Sequence, residues 1–449
     1  MADALALEPQ TAAAPGTYRQ RGISSLQRLF RTHFPEFAAR YDVDYARRLG
    51  RSRLQRITRA VERFLECGDY TQGVARIRCT NPDCRTEYFR PFSCKVFHLC
   101  PSCSQKRTLL FGEYMNEQLL LRLPHRQMVF TFPKVLRGFF RHHRTLYGEI
   151  ARQLYAIIGT FYNAAAGCKV YSAAVIAYAC AGEFARFNPH LHAIVLEGGF
   201  DPSGRFVHIP QLDLARLSQY FRASMVAFFF KRQLIDERLA HNMLQWQHSG
   251  FSVDGSVRIP AGSSRTREAL SRYIARAPVS LNKLLVEDHA ATVLYHTAYN
   301  PYFRTNLKVF RATDFIAELL QHLPDPRLRW IRRYGLYSSR SRGTWPRKAH
   351  LMRLAPEGWR QYHAVQDVLR IGSVDEKYAE TSVSSRESRS AWARLIAKVY
   401  EADPLICRHC GSPMRIMAVI TEPQQVRKIL LHLIKTGKAP PGLDPASLN

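Results

Sequence analysis

Apolar and polar residues alternate with period two in several short runs of this chain and follow period 3.6 in longer ones, so the change of period marks out the elements. From Ile23 to Glu66 the pattern is helical, and Ile57, Val61, Phe64 and Leu65 make one apolar stripe among arginines, a packing face. The run from His125 to Pro133 reads as a strand ended by proline, with Met128, Phe130 and Phe132 alternating against Val129 and Thr131. Arg137 to Ala166 reads as a helix pair and Val170 to Tyr178 as a buried strand. Asn188-Pro189 opens a further strand that Glu197-Gly198-Gly199 breaks, and a hairpin follows through Asp201-Pro202-Ser203-Gly204. That order predicts an α+β domain with helices on one face of its sheet. Thr266 to Ala277 is helical in composition and stops at Pro278.

Candidate chemistry sits on two of these elements. In the strand after Pro189, His190 and His192 flank Leu191; side chains alternate, so two imidazoles share one exposed face while Leu191 points into the core. Neutral imidazoles are good ligands for a divalent metal, although a polar face on an ordinary strand has the same pattern. Glu183, seven residues before His190, either completes a three-ligand site or is a solvated turn residue. On the helix before Pro278, Tyr273 has Arg272 beside it and Arg276 one turn on. Guanidinium groups favour a phenolate and offer a fork for phosphate, which nucleophilic attack on a phosphodiester needs. A helical tyrosine is also an ordinary packing residue, and this chain has 21 tyrosines.

Charge sharpens that picture. Lys and Arg number 65 against 36 Asp and Glu, leaving +29 over 449 residues, a balance that suits a polyanion, nucleic acid above all. The 46% hydrophobic and 22% charged content is that of a globular chain with room for two to four domains. Asp3 and Glu8 stand where a secretory signal would be basic, and the longest apolar run, Val170 to Gly182, is too short to span a bilayer. The expected location is cytoplasmic, with the nucleoid and away from membranes.

In such a compartment the ten cysteines point to metal, not disulfides. Cys79-x4-Cys84 and Cys100-Pro101-Ser102-Cys103 are two pairs that can close a structural four-thiolate zinc site. Cys67, Cys94 and His98 lie close enough in sequence for a permuted ligand set or a second metal, although Cys67 and Cys94 read first as buried thiols without a metal. Cys407-x-x-Cys410-Gly411 is half a knuckle with no pair downstream, either binding zinc with His409 or His432 or forming a turn with two thiols. A capping box at Thr421 to Gln424 starts a last helix that Gly437 can end. The expected domains are a disordered tail (1–22), a helical zinc-binding module (23–118), a catalytic domain (119–350), a linker (351–390, with the polar stretch Gly372 to Ser390), and a C-terminal helical region with the CxxC knuckle (391–449), beginning with a short helix from Ala391 to Glu401.

Taken together, the two cysteine pairs, Val129-Phe-Thr-Phe-Pro133, Phe187-Asn-Pro-His-Leu-His192 and Arg272-Tyr273-x-x-Arg276-x-Pro278 resemble the rolling-circle transposases of the insertion sequence 91 family. Gln321-His-Leu-Pro324, Arg333-Tyr-Gly-Leu-Tyr-Ser338 and Asp403-Pro-Leu-x-Cys407-x-x-Cys410-Gly411 continue that family's order, and the similarity runs from about Ile23 to Ile434. The resemblance implies the fold of the HUH endonucleases, named for histidine, hydrophobic, histidine: a central antiparallel sheet with the histidines on a middle strand and the tyrosine on a facing helix. It implies that His190 and His192 hold Mg²⁺ or Mn²⁺ and that Tyr273 attacks single-stranded DNA at element ends, leaving a 5′-phosphotyrosine. Two-tyrosine members carry the pair four residues apart, and Ala269 holds the earlier place here, so the chain resembles the single-tyrosine branch. Tyr295 and Tyr299 are also four apart, but Val293 to His296 reads as a strand and Asn300-Pro301 ends it. The alternatives are a rolling-circle replication initiator and a zinc-dependent DNA-binding protein without catalysis.

Overall fold

The computed structural model describes residues 23–287, 289–325, 328–361, 363, 406–407 and 409–448. The tail expected at 1–22, the polar stretch Gly372 to Ser390 and the helix expected at Ala391 to Glu401 lie outside the described residues. The described residues fall into two compact units: those within 29–61 and 97–373, and those within 1–28, 62–96 and 374–449.

In chain order, helices α1 (Ser25–Ala39), α2 (Ala46–Leu49) and α3 (Leu54–Leu65) precede strands β1 (Val74–Cys79) and β2 (Glu87–Pro91). Then come α4 (Pro101–Tyr114), β3 (His125–Thr131), α5 (Lys134–His142), α6 (Leu146–Ala166), β4 (Ala173–Ala181) and β5 (Phe187–Leu196). The hairpin β6 (Gly198–Phe200) and β7 (Phe206–His208) leads to α7 (Leu214–Lys231), α8 (Glu237–Gln245), β8 (Ser252–Asp254), β9 (Arg258–Ile259) and α9 (Ser264–Ala275). Strands β10 (Leu284–Glu287), β11 (Thr292–Asn300) and β12 (Thr305–Arg311) precede α10 (Ala312–Leu320), β13 (Ile331–Gly335), α11 (Ser339–Arg342) and α12 (Ala349–Leu354). Beyond residue 405 follow β14 (Met414–Ile420) and α13 (Pro423–Lys435).

The larger unit is built on an antiparallel sheet of order β13-β4-β5-β3-β8, with β9 also beside β3. The histidine strand β5 is therefore central, bonded on one side to β4 and on the other to β3, where His190 faces Thr131 and His192 faces Val129. Alternation along the three inner strands sends Phe130, Ala174, Ile176, Leu191, Ala193 and Val195 to one face, under residues of α5 to α8. Each large apolar side chain buried there contributes about 1.5–3 kcal/mol.

The opposite face is covered too, which corrects the expectation of helices on one face. Ala173, Val175, Ala177, Ile194 and Leu196 pack there against Met115, Leu119, Ile274, Tyr337, Trp345 and Trp359. A strand's alternation shows which residues share a face but not what covers it. The same core corrects the linker expected from residue 351: Leu351, Ala355 and Trp359 are buried in it, at the i, i+4, i+8 spacing of a helical stripe.

The smaller unit holds an antiparallel sheet of order β14-β1-β2, with Val74 opposite Ile420 and Cys79 opposite Met414. The C-terminal region, expected to be helical, thus supplies a strand, from a seven-residue run rich in Ile, Met and Val that suits a sheet. Helix α13 packs Val426, Leu430 and Leu433 against Tyr70, Val74 and Phe89. Its expected capping box does not form. Glu422 is the N-cap without a side-chain bond, and Pro423 occupies the first turn, where its missing N–H costs nothing. Gly437, at φ +68°, ends the helix as predicted.

Candidate active-site cleft

The two histidines point their Nε2 atoms at each other, 3.0 Å apart. His190 Nδ1 lies 2.7 Å from the Asn188 carbonyl oxygen, so that nitrogen carries the proton and Nε2 keeps its lone pair. His192 Nδ1 lies 3.1 Å from Gln127 Nε2. The face is not exposed as expected: His192 is 5% accessible. Burial lowers the His190 pKa, with Arg137 and Arg276 adding to the shift against the Asn188 hydrogen bond. His192 is brought down to about 3 by burial first, then by His190 and Arg276. Both imidazoles are therefore neutral, the form that ligates metal. Two ligands at right angles on one ion, each at about 2.1 Å, stand about 3.0 Å apart, which matches the observed spacing.

Helix α9 carries Tyr273 over this pair, with the ring edge-on to His192 at 5.4 Å between centroids. Ser263 caps the helix by accepting from the Thr266 amide at 3.2 Å. Arg267, 2% exposed, fixes the same end by donating to Asn116 Oδ1 at 3.1 Å and to the Ala261 carbonyl. Thr108 of α4 holds the other end, donating to the Ala275 carbonyl at 3.0 Å. Close approach of α4 and α9 depends on Gly112, where a Cβ would stand 2.7 Å from Arg272 Cγ and 3.3 Å from the Glu268 carbonyl oxygen.

Of the two arginines flanking Tyr273, one faces the site. The Arg276 guanidinium lies over the Tyr273 ring, 4.2 Å from its centroid. Arg272, one residue before Tyr273, points toward α4, pairs with Glu268 of its own helix and leaves its Nε buried without a hydrogen bond. It does not line the cleft. Glu183 does, from the turn before β5, but it does not come within mutual ligand reach of the two histidines. The expected three-ligand set is not assembled among the described residues; the turn that carries Glu183 continues through Phe184 and Ala185, both at positive φ. Among rival tyrosines, Tyr295 is 3% exposed, and burial raises its phenol to about 12. Tyr299 is exposed, beside an irregularity in β11. Tyr302 is exposed and accepts from Lys134 Nζ at 2.8 Å, which lowers its pKa.

The cleft around the pair has a volume of about 1010 Å³. Its described lining sets Arg107, Arg276, Lys283, Arg329 and Arg333 against the single carboxylate of Glu183, and adds Phe97, Phe111, Tyr114 and Trp330. Cations and aromatic rings lining one cleft suit the phosphates and bases of a nucleic acid. Gln127 and Arg267 escaped the sequence reading. Gln127 is the polar residue on the Val129 and Thr131 side of β3, a detectable signal, whereas Arg267 looks like any other arginine of a basic chain.

The cysteines group differently from the spacing argument. Cys79 and Cys84 meet Cys407 and Cys410, all four sulfurs lying within 4.8 Å of one another. Cys100 and Cys103 open α4 in the larger unit. The four-cysteine set expected from spacing is thus replaced at Cys79 and Cys84, because the pairing of β14 with β1 brings the C-terminal knuckle to them. The half-knuckle therefore meets cysteines and not His409 or His432.

Residues 29–132 match the family described as "Transposase zinc-binding domain", and residues 181–344, which hold both histidines and Tyr273, match the family described as "Putative transposase". The chain is 24% identical over 315 residues to the "Transposase for insertion sequence element IS801" of Pseudomonas savastanoi pv. phaseolicola, covering 66% of this chain and 74% of that protein. It is also 24% identical over 274 residues to the "Putative transposase y4qJ" of Sinorhizobium fredii, covering 56% of this chain and 67% of that one. No solved structure matches significantly. No described helix is long and apolar enough to cross a membrane. A basic cleft with a histidine pair, in a chain of this ancestry, is that of a DNA-processing enzyme. The chain belongs to the insertion sequence 91 family of transposases.

Proposed function

We propose that this transposase nicks and rejoins single-stranded DNA at element ends, in the manner of an HUH endonuclease, during rolling-circle transposition. The observation that carries the reading is the convergence of His190 Nε2 and His192 Nε2 at 3.0 Å beneath Tyr273. These nitrogens would hold Mg²⁺ or Mn²⁺, which when bound polarises the scissile phosphate. The fit requires a lone pair on both. His190 offers one already, and turning the Gln127 amide so that its oxygen accepts from His192 Nδ1 frees the other.

Tyr273 is the nucleophile in this reading. Its oxygen bonds to phosphorus as the bond to the 3′ oxygen breaks, and the phenolic proton ends on the leaving 3′-hydroxyl. The product is a 5′-phosphotyrosine that keeps the energy of the diester, so a 3′-hydroxyl arriving later reverses the step and joins strands. Arg276, whose guanidinium lies over the Tyr273 ring, would pair with the phosphate oxygens, and the aromatic and basic lining supports an unpaired strand as substrate. One turn before Tyr273 stands Ala269, so α9 offers one phenol, as in the single-tyrosine branch.

The test is incubation with labelled single-stranded element ends and Mg²⁺, followed by a denaturing gel. Tyr273→Phe removes only the hydroxyl of a 41%-exposed side chain, so stability should change by less than about 0.5 kcal/mol. The covalent adduct should vanish in that variant and persist in Tyr295→Phe and Tyr299→Phe. An adduct that survives in Tyr273→Phe and maps to another tyrosine refutes the assignment, and a wild-type protein that binds without any adduct is a DNA-binding protein instead.

A further inference from the structure

We propose that Cys79, Cys84, Cys407 and Cys410 bind one structural zinc ion, with half of its ligands drawn from beyond residue 405. The two knuckles are far apart in sequence, Cys84 and Cys407 by 323 positions and Cys79 and Cys410 by 331, yet their sulfurs stand 3.7 and 3.4 Å apart. A tetrahedral thiolate site with bonds of about 2.3 Å spaces its sulfurs by about 3.8 Å. These separations rule out disulfides, which need about 2.05 Å, and all four cysteines are free.

The backbone is shaped for the task on both sides. In the first knuckle the Cys79 amide donates to the Thr86 carbonyl at 3.0 Å and the Cys84 amide to the Asn81 carbonyl at 3.1 Å. In the second, the Gly411 amide donates to the Cys407 carbonyl at 2.9 Å and the Cys407 amide to Ser412 at 2.8 Å, with Gly411 at φ +72°. That positive φ suits glycine and lets the chain turn back within four residues. The Thr80 amide, donating to the Pro413 carbonyl at 2.9 Å, fastens one knuckle to the other. Ile77 and Met414 close the site from below, and Cys79, Cys84 and Cys407 are buried. Thr86 Oγ1 lies 3.2 Å from Cys84 Sγ, where its hydroxyl can donate to a thiolate.

Four soft sulfurs in tetrahedral spacing select zinc among common divalent ions, and four protein ligands leave no position for water or substrate, so the ion's work is to hold the fold. The match to the zinc-binding family ends at residue 132 and includes only Cys79 and Cys84 of this set. Residues 406–407 and 409–420 are thus part of the zinc-binding unit, joined to it by the ion and by the β14–β1 ladder.

The experiment measures zinc per chain in dialysed full-length protein. Cys407→Ser and Cys79→Ser should each lose about one equivalent, and Cys79→Ser/Cys407→Ser should lose no more than either alone, because both remove the same ion. Cys168→Ser, at an exposed cysteine outside the set, should keep the wild-type content. Cys410→His should retain the ion that Cys410→Ala releases, which separates ligation from general damage to the fold. The cobalt-substituted wild type should show strong sulfur-to-cobalt charge transfer that weakens in Cys407→Ser. Full zinc in Cys407→Ser, or loss of two equivalents in the double variant against one in each single variant, overturns the proposal. None of these readouts depends on DNA cleavage.

Discussion

Mild acid should destabilise the catalytic unit, in part through two histidines buried without an ion-pair partner. His125 and His322 are both 0% accessible. His125 touches the Leu123 carbonyl at 2.8 Å and the Tyr337 hydroxyl at 2.5 Å; His322 touches Cys180 Sγ at 3.1 Å and the Ala185 carbonyl at 2.8 Å. Burial, the leading cause in each, brings His125 from 6.5 to about 3 and His322 to about 4. A pKa lowered on folding means that the unfolded chain takes up the proton first. Stability is therefore complete above about pH 6.5 and declines as pH falls from there toward the folded values. At pH 5, about 1.5 units below the unfolded value, each group costs about 2 kcal/mol and the two together about 4 kcal/mol, a large part of a typical domain's stability. The site should feel this loss, since His125 lies on β3 with Gln127 and the His322 ring stacks on Phe187 at the start of β5. Urea unfolding followed by tryptophan fluorescence at pH 8, 7, 6 and 5 measures the slope. Glu197, whose carboxyl is held below the ordinary 4.5 by Arg258, His208 and Arg126 despite its burial, contributes only at lower pH. His125→Gln/His322→Gln should reduce the slope between pH 6.5 and 5, the remainder coming from other histidines whose pKa burial lowers, His98 and His192 among them. An equal slope in that variant, or a wild-type midpoint constant from pH 8 to 5, would refute the reasoning.

Three further outcomes follow from the geometry. His192→Ala should abolish nicking while single-strand affinity changes by less than about threefold and keeps its salt dependence, since phosphate contacts persist; a parallel loss of binding would make this histidine structural. Gln127→Ala should raise the Mg²⁺ needed for half-maximal nicking by about 10–100-fold, the usual effect of losing a partner behind a ligand, and an unchanged titration curve would exclude an orienting role. Glu197→Gln should destabilise the protein by about 3–5 kcal/mol, because Glu197 is 1% exposed and its loss leaves the buried Arg126 uncompensated; denaturant curves showing less than about 1 kcal/mol would contradict that.

Local pattern disclosed what local physics controls. The strand with His190 and His192, the helix with Tyr273 and the hairpin after Glu197 were legible because alternation, caps and turn residues act within a few positions. What lay beyond that range was not. Leu351, Ala355 and Trp359 read as the start of a linker because nothing nearby shows that a sheet face waits for them. Arg272 and Arg276 look alike in sequence, yet one packs on α4 beside Gly112 and the other lies over the tyrosine ring, because Arg276 falls just past the end of α9 in extended backbone. Cysteine spacing finds knuckles but cannot choose partners, so Cys79 and Cys84 were matched with the next pair along the chain and not with one brought back by a strand.

That returning strand has a consequence for synthesis. A ribosome adds about 5–20 residues per second, so the 323 positions from Cys84 to Cys407 take roughly 15–65 s to appear. For that interval the nascent β1 lacks one of its two neighbours and its cysteine pair lacks half of its ligands, although residues 97–361 have already emerged. Premature stop codons late in the reading frame should therefore behave like lesions near its beginning: a product ending before Cys407 leaves Cys79 and Cys84 unmatched and open to oxidation or to a foreign metal.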